Sequence, residues 1–475
     1  MSDVAIKPVD EILPAPRLTA LGLQHVLVMY AGAIAVPLIV AGALGLPAEQ
    51  RAILINADIL ACGLASIVQS IGFPGVGIRL PVMMGVTFAS VAPMLAMITA
   101  AKEAGGTNFS AVAVLTTIYG AVAAAGIFAI VVAPYMSRLL RLFPPVVTGS
   151  IILVIGLSLM RIGVGWVEGP FVVPNIVDGV FKGVIPNPNR DAIAGFVLSL
   201  IVLLVILGVT KFGKGFWANI AVLIGIVVGA IIAAIIGKME FGAVAKASWL
   251  GVTVPFQFGF PSFQLVPILT MCVVMVVVMI ESTGMFLALG EMTGKTIGPA
   301  ELTAGLRADG VGTIIGALFN AFAYTSFSQN VGLVGVTGVR SRFVTAVGGV
   351  ILIVLSLIPK LAAVVGAIPV EVLGGAGLVM FGMVAATGVR ILSAVDFKNN
   401  RNNLFIVAIA VAFGLLTLIS PTFFKNFPTA LKPILDSGII LTTVVAVALN
   451  AYYNGLGSQG EAESRLTEAA RAAEH

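Results

Sequence analysis

The chain has 475 residues, of which 59% are hydrophobic and only 10% charged, with a net charge of +5. A soluble domain carries about 25% charged residues because it must cover its core with polar groups. This composition therefore points to a lipid solvent and leaves little room for a soluble catalytic domain, and the scattered Lys and Arg form no basic patch of the kind nucleic acid requires.

Residues 1–17 are polar, contain acids and prolines, and lack the basic region and cleavage site of a secretory leader. They are expected to form a cytoplasmic tail. Beyond them, windows of about 20 apolar residues recur about fourteen times. The first seven fall near 18–43, 52–71, 80–100, 110–135, 145–160, 192–209 and 216–236. The second seven fall near 265–289, 301–322, 326–339, 343–368, 370–391, 404–419 and 437–453. A tail over 455–475 ends the chain. An even number of spans puts both termini on one side. The short basic clusters Arg138/Arg141, Lys211/Lys214, Arg340/Arg342 and Arg390/Lys398/Arg401 fall on that side, so it is expected to be cytoplasmic.

Within these spans the ionisable residues stand out, because each costs at least about 2.5–3.5 kcal/mol in lipid. His25 follows Gln24 in the first span; it fits either packing or an organising role opposite an acid. Asp58 comes early in the second span, where an interfacial place is open to it. Glu281 follows ten uncharged residues in the eighth. A carboxyl at that depth is a candidate proton carrier and an acceptor for paired N–H donors of a planar ligand. Asp309, in the ninth span, is either a local partner of Arg307 or a second site-organising carboxyl. Cys62 and Cys272 lie in apolar runs and read as small packing residues. They make neither a disulfide scaffold nor a thiolate metal site.

Two spans lack a continuous helix-forming run. The third reads RLPVMMGVTFASVAP over 79–93, with Phe88 placed to stack on a planar ring and Thr87 beside it. The tenth reads YTSFSQNVGLVGVTG over 324–338 and carries the adjacent amides Gln329 and Asn330 with the hydroxyls of Ser326, Ser328 and Thr337. Irregular backbone at membrane depth survives only where protein or a wet cavity satisfies it, and interrupted spans at matching positions point to a transport site. A half-helix starting near Asn330 would aim its N–H groups at a ligand. The two spans are third in each half of seven. FPPVVTG at 143–149 likewise matches IPVEVLG at 368–374 at the fifth position of each half. Two inverted seven-span repeats are therefore expected, since an odd repeat reverses direction. No P-loop, GxSxG, HExxH or histidine-rich metal site occurs.

The segment Gln329-Asn330-x-Gly332-x-x-x-x-Thr337-Gly338 resembles the signature of the nucleobase–ascorbate transporter family, also called nucleobase–cation symporter-2. Gln24-His25 and the stretches GLQHVLVMYAGAIAVPL, GIRLPVMMGVTF, FPPVVTGSIILVIGLSL, ESTGMFLALGE, GLRADGVGT and LGGAGLVMFGM resemble its bacterial urate/xanthine permeases. The resemblance runs over nearly the whole chain. It implies an all-α polytopic protein of fourteen spans, with short antiparallel β-strands in spans 3 and 10. It implies a core domain (18–135 and 264–368) and a gate domain (136–263 and 369–454). Glu281 and Gln329 would hydrogen-bond a purine, Phe88 would stack on it, and Thr87 and Ser328 would join the binding site. His25, Asp309 and Asn330 would support the site or the coupling of a co-transported proton. A homodimer in the inner membrane is implied, with no other cofactor. Gln329 stands where the uracil branch has Glu, which favours a purine. Thr87 and Ser328 match urate-type members, whereas Gly338 stands where many of those carry Arg, so xanthine and dual specificity stay open. Competing readings are an anion exchanger or channel of the related sulfate-transporter architecture, a uracil permease, and a membrane enzyme or receptor.

Overall fold

The computed structural model describes residues 8–105, 109–169, 172–177, 180–186, 193–428 and 431–455. Residues 1–7 of the expected N-terminal tail and 456–475 of the C-terminal tail therefore lie outside the described residues. The chain folds into helices α1 (Ala15–Leu44), α2 (Ala48–Ile71), α3 (Val91–Gly105), α4 (Ala111–Val132), α5 (Pro145–Glu168), α6 (Ile193–Phe212) and α7 (Ala221–Ile235). The second half contributes α8 (Leu265–Thr293), α9 (Pro299–Leu318), α10 (Ser328–Thr337), α11 (Arg342–Ser356), α12 (Pro359–Gly366), α13 (Val370–Ser393), α14 (Asn402–Ile419) and α15 (Gly438–Asn454).

Among the described residues, eight helices are long and apolar enough to cross a membrane, or nine if the bent pair α11 and α12 is one span. That pair turns by 83°. Pro359 stands at the break, where its ring disfavours helix in the residue before it. The other expected spans are of three kinds. Helices α7 and α15 are apolar but short. Helix α9 carries Glu301, Arg307 and Asp309 in its 20 residues. Helices α3 and α10 are half-length and each follows a strand. The chain is thus a multi-pass membrane protein, mostly helical.

Strand β1 (Met84–Val86) pairs antiparallel with β4 (Tyr324–Ser326), placing Met84 opposite Ser326 and Val86 opposite Tyr324. Each strand is approached through a residue in the left-handed region, Arg79 (φ 56°) and Asn320 (φ 64°). The connection between α5 and α6, where no span is expected, holds a second antiparallel pair, β2 (Val172–Val177) and β3 (Val180–Pro186). The β-branched residues there, Val172, Val173, Ile176, Val177, Val180, Val184 and Ile185, suit a strand, and the apolar-run criterion passes over them because they are too few to span a bilayer.

Two helix crossings are built alike. A Cβ on Gly63 of α2 would lie 2.6 Å from the carbonyl oxygen of Gly349 of α11, and one on Gly349 would lie 2.7 Å from that of Gly63. Ile67 and Ile353 fill the flanks. At the crossing of α4 and α9, Gly126 and Gly310 stand in the same reciprocal relation at 2.8 and 2.7 Å, flanked by Ile130 and Ile314. Small residues let backbones touch where lipid gives helices no hydrophobic drive to associate. Gly126→Val and Gly310→Val should each lower the apparent melting temperature of the detergent-solubilised protein. Overpacking of this kind costs about 1–3 kcal/mol. Gly42→Ala, where an added Cβ meets nothing within 4 Å, should leave it unchanged; equal behaviour of all three variants in a thermal-stability assay would refute this account.

Candidate substrate cavity

The strand pair is where the two interrupted segments repair each other. The N–H of Thr87 donates to the carbonyl of Ala323 at 2.8 Å, and that of Phe327 donates to the carbonyl of Met83 at 3.0 Å. Behind each strand a hydroxyl accepts a strand N–H. Ser66 of α2 takes that of Met84 at 2.8 Å, and Thr313 of α9 takes that of Tyr324 at 3.1 Å. Backbone polar groups that no helix satisfies are thus paired deep in an apolar body.

Immediately past the strands, both chains turn into helix. Thr87 caps the turn Phe88–Ser90, its hydroxyl accepting from the N–H of Ala89 at 3.1 Å, and α3 continues from it. Helix α10 starts at Ser328, two residues before the start expected near Asn330, with Phe327 as its cap. Two helix starts, with unpaired N–H groups and the positive end of their dipoles, therefore meet at one place.

A cavity opens there, enclosing about 470 Å³ of empty space counting its mouth. Thr87 and Phe88 line it from the first segment, Thr325, Ser326, Ser328 and Gln329 from the second, and Glu281 from α8. Ile152 and Ile155 of α5 and Val384 of α13 form the opposing wall. Ser328 and Gln329 are exposed to the cavity, and Glu281 and Phe88 are half-buried. No described residue hydrogen-bonds the Glu281 carboxyl. The Phe88 ring packs edge-on against Phe381 of α13, centroids 5.8 Å apart at 84°, which leaves it a face for another ring.

Of the eight residues singled out from the sequence, Glu281, Gln329, Phe88, Ser328 and Thr87 line this cavity. His25 and Asn330 lie behind it as a buried pair. The Asn330 amide donates to the His25 carbonyl at 2.9 Å and meets the ring Nδ1 at 3.1 Å. In this orientation Nδ1 is the acceptor, and the ring proton of a neutral His25 sits on Nε2. Asp309 stands apart from the lining. Its Oδ1 accepts from Gln69 at 2.9 Å, while Arg307 reaches only the Gly75 carbonyl, so the local Arg307 pair is not formed. The hydroxyls of Ser282 and Thr325, 3.4 Å apart, lie between α8 and β4.

Sequence reasoning left the partners of three polar residues unread: Asp58, Tyr324 and Gln69. Asp58 is fully buried within the protein. Tyr324 binds it, and Gln69 joins α2 to α9 through both Asp309 and the Gly305 carbonyl. An Asp and a Gln on the same face of one apolar helix, about three turns apart, was the available clue. Cys62 is free, as expected, but its thiol faces Asp58 at 3.7 Å, so it is more than packing.

A body of apolar helices with half-helices starting at a central polar cavity defines a membrane transporter, not an enzyme. The model of a permease family matches residues 17–423. The chain belongs to this family, nucleobase–cation symporter-2. It is 47% identical to the uric acid transporter UacT of Escherichia coli, over 94% of this chain and 88% of that one. It is 42% identical to a xanthine permease of Bacillus subtilis, over 92% and 93%. The uric acid permease PucJ of the same species is 41% identical, over 95% and 96%. Among solved structures, the fold is similar to murine Slc26a9 in its inward-facing state (TM-score 0.62, 13% identity, 94% of this chain and 69% of that one). It is also similar to the transmembrane domain of the cyanobacterial bicarbonate transporter BicA (TM-score 0.53, 18% identity, 93% and 98%).

Gln329→Glu keeps the size of the side chain but removes two donors. It should weaken purine binding by roughly 5–150-fold, the equivalent of about 1–3 kcal/mol. Competition binding on the purified protein measures this, and wild-type affinity for every purine would place Gln329 outside the site.

Proposed function

We propose that the protein is a proton-coupled symporter that imports a purine, urate and/or xanthine, by alternating access. The observation that carries this reading is the cavity: an unpartnered carboxyl on Glu281, an exposed amide on Gln329 and an aromatic face on Phe88 surround one space. The relatives named above as uric acid and xanthine carriers support it. Glu281 is the proton carrier and accepts the purine N–H groups. Gln329 pairs with an adjacent edge through both its carbonyl and its NH₂, Phe88 stacks, and Ser328 and the α10 start offer donors. His25, Asn330 and Asp309 are supporting groups, the first two by holding α10 against α1.

In this proposal the chain makes fourteen spans in two inverted halves. Support comes from the two matched glycine crossings, the reciprocal strand bonds and the paired Ser66 and Thr313 supports. The core domain (18–135, 264–368) carries the half-helices and Glu281. The gate domain (136–263, 369–454) supplies the wall of Ile152, Ile155 and Val384, and movement between them exposes the cavity to each side in turn. Both termini are cytoplasmic, the membrane is the inner membrane, and two copies form a homodimer.

The similarity to bicarbonate and Slc26 carriers favours one other reading, an anion exchanger, since two helix starts attract anions. The carboxyl of Glu281 in the same space argues against it. Accumulation of labelled urate or xanthine in inverted vesicles or cells separates the two. It should follow the inward proton gradient, collapse with a protonophore, and disappear in Glu281→Gln, which retains some binding. Full accumulation by that variant, or exchange driven by inorganic anions, would overturn the symport reading.

Selectivity gives a further expectation. Urate differs from xanthine by a carbonyl at C8 and an N–H at N9. The Thr87 hydroxyl accepts from the N–H of Ala89 as a cap, which fixes its place in the wall beside Phe88 and leaves its own proton free to donate. Loss of such a cap costs about 0.5–2 kcal/mol. Thr87→Ala should narrow the urate/xanthine ratio of kcat/KM, and Thr87→Ser should retain it; an unchanged ratio in Thr87→Ala means selectivity is set elsewhere.

A further inference from the structure

The strand pair is framed alike from both sides, except at one point. Met84 in β1 and Tyr324 in β4 hold matching places: each donates its N–H to a hydroxyl of the helix behind it, and each starts its strand. Their side chains differ in kind. Met84 presents a thioether, approached by Gln69 at 3.7 Å and Ser326 at 3.5 Å. The Tyr324 hydroxyl instead reaches across to α2. There it donates to the carboxyl Oδ1 of Asp58 at 2.7 Å and lies 2.9 Å from the carbonyl of the same residue.

Both Tyr324 and Asp58 are fully buried. The second carboxyl oxygen of Asp58 faces the Cys62 thiol at 3.7 Å, and no described Lys, Arg or His pairs with it. Burying a carboxyl without a cation is costly, and a strand in this fold is held without one, as Met84 demonstrates. The requirement is therefore specific to β4. Both strands lead into the cavity wall, β1 into Thr87 and Phe88, whereas β4 carries or leads into four polar side chains. Within five residues of Tyr324 come Thr325, Ser326, Ser328 and Gln329, all of which line the cavity. A hydroxyl that donates to a carboxyl on a packed helix sets the position and twist of the strand that carries them.

We propose that Asp58 is a positioning residue for the substrate cavity: as a hydrogen-bond acceptor it holds Tyr324, and through Tyr324 it fixes the frame of the segment that presents Gln329. This rests on the cavity's being the purine site. The role needs an oxygen acceptor at Asp58, not a charge. Asp58→Asn keeps such an oxygen and turns its NH₂ toward the Cys62 sulfur.

The test is initial-rate uptake of labelled urate and xanthine, with thermal stability and monodispersity in detergent as folding controls. Tyr324→Phe, which removes one oxygen, should raise KM about 5-fold or more while kcat stays within about twofold. Asp58→Ala should do the same, and the double variant should be no worse than either single one, because both break one contact. Asp58→Asn should restore a KM near that of the wild type. If Asp58→Ala fails to fold, Tyr324→Phe decides alone. Wild-type KM in folded Tyr324→Phe overturns the proposal, as does a folded Asp58→Asn that transports nothing, since the carboxyl would then be acting through its proton or charge. Should the wild type carry neither purine, the transport reading fails and the proposal falls with it.

Discussion

Everything in this molecule hangs on how two stretches of non-helical backbone are satisfied inside an apolar body. Residues 83–87 and 323–327 leave the helical pattern where no bulk water is available to their N–H and C=O groups. Neither stretch can repair itself. Each strand takes its partners from the other, through the reciprocal bonds from Thr87 to Ala323 and from Phe327 to Met83. Each also takes a hydroxyl from the helix behind it. The strand pair therefore welds the two halves of the sequence. The glycine crossings of α2 with α11 and α4 with α9 hold the surrounding helices close enough for that weld to form.

The same constraint creates the cavity. A strand that ends in mid-protein must restart as helix, and a helix start has N–H groups without intrahelical partners. Thr87 satisfies one of them internally, at Ala89. On the other side the cap is Phe327, which has no polar side chain to offer. The start of α10 is thus left open toward the space that Glu281 faces. Phe327 covers Gly32 and Gly85 with its ring instead, so the residue that would otherwise cap the helix is used to pack it.

How far this was legible in the sequence depends on whether the information was local. Glu281, Gln329 and Phe88 announced themselves, because a carboxyl after ten uncharged residues and paired amides in a Gly-rich run are anomalies in any apolar span. The two interrupted segments were visible for the same reason. Span counting was less secure. Hydrophobic windows see neither the break at Pro359 nor the shortness of α7 and α15, and the β2–β3 pair was too short to register. The hidden information was pairwise. Asp58 looks ordinary until Tyr324, far along the chain, is placed against it, and Asp309 looks like a partner of Arg307 until Gln69 arrives from α2. The matched glycines of the four crossing helices are likewise ordinary residues in a chain with 54 glycines. Only the reciprocal distances single them out.

A symmetric frame with asymmetric polar groups has a chemical consequence for the proposed substrate. The matching helix starts offer donors from both halves, whereas the carboxyl comes from α8 alone. An inorganic anion offers acceptors to the helix starts but has no N–H to give Glu281. A cation would meet the reverse. A dioxopurine edge alternates N–H and C=O around one ring, so it can turn acceptors toward the α10 start and Gln329 while giving N–H groups to Glu281. The flat ring then suits the free face of Phe88, whose other contact, with Phe381, is edge-on. The polar pattern thus selects for a ligand that is both donor and acceptor within one plane. That requirement sets the proposed site apart from one built for an inorganic anion alone.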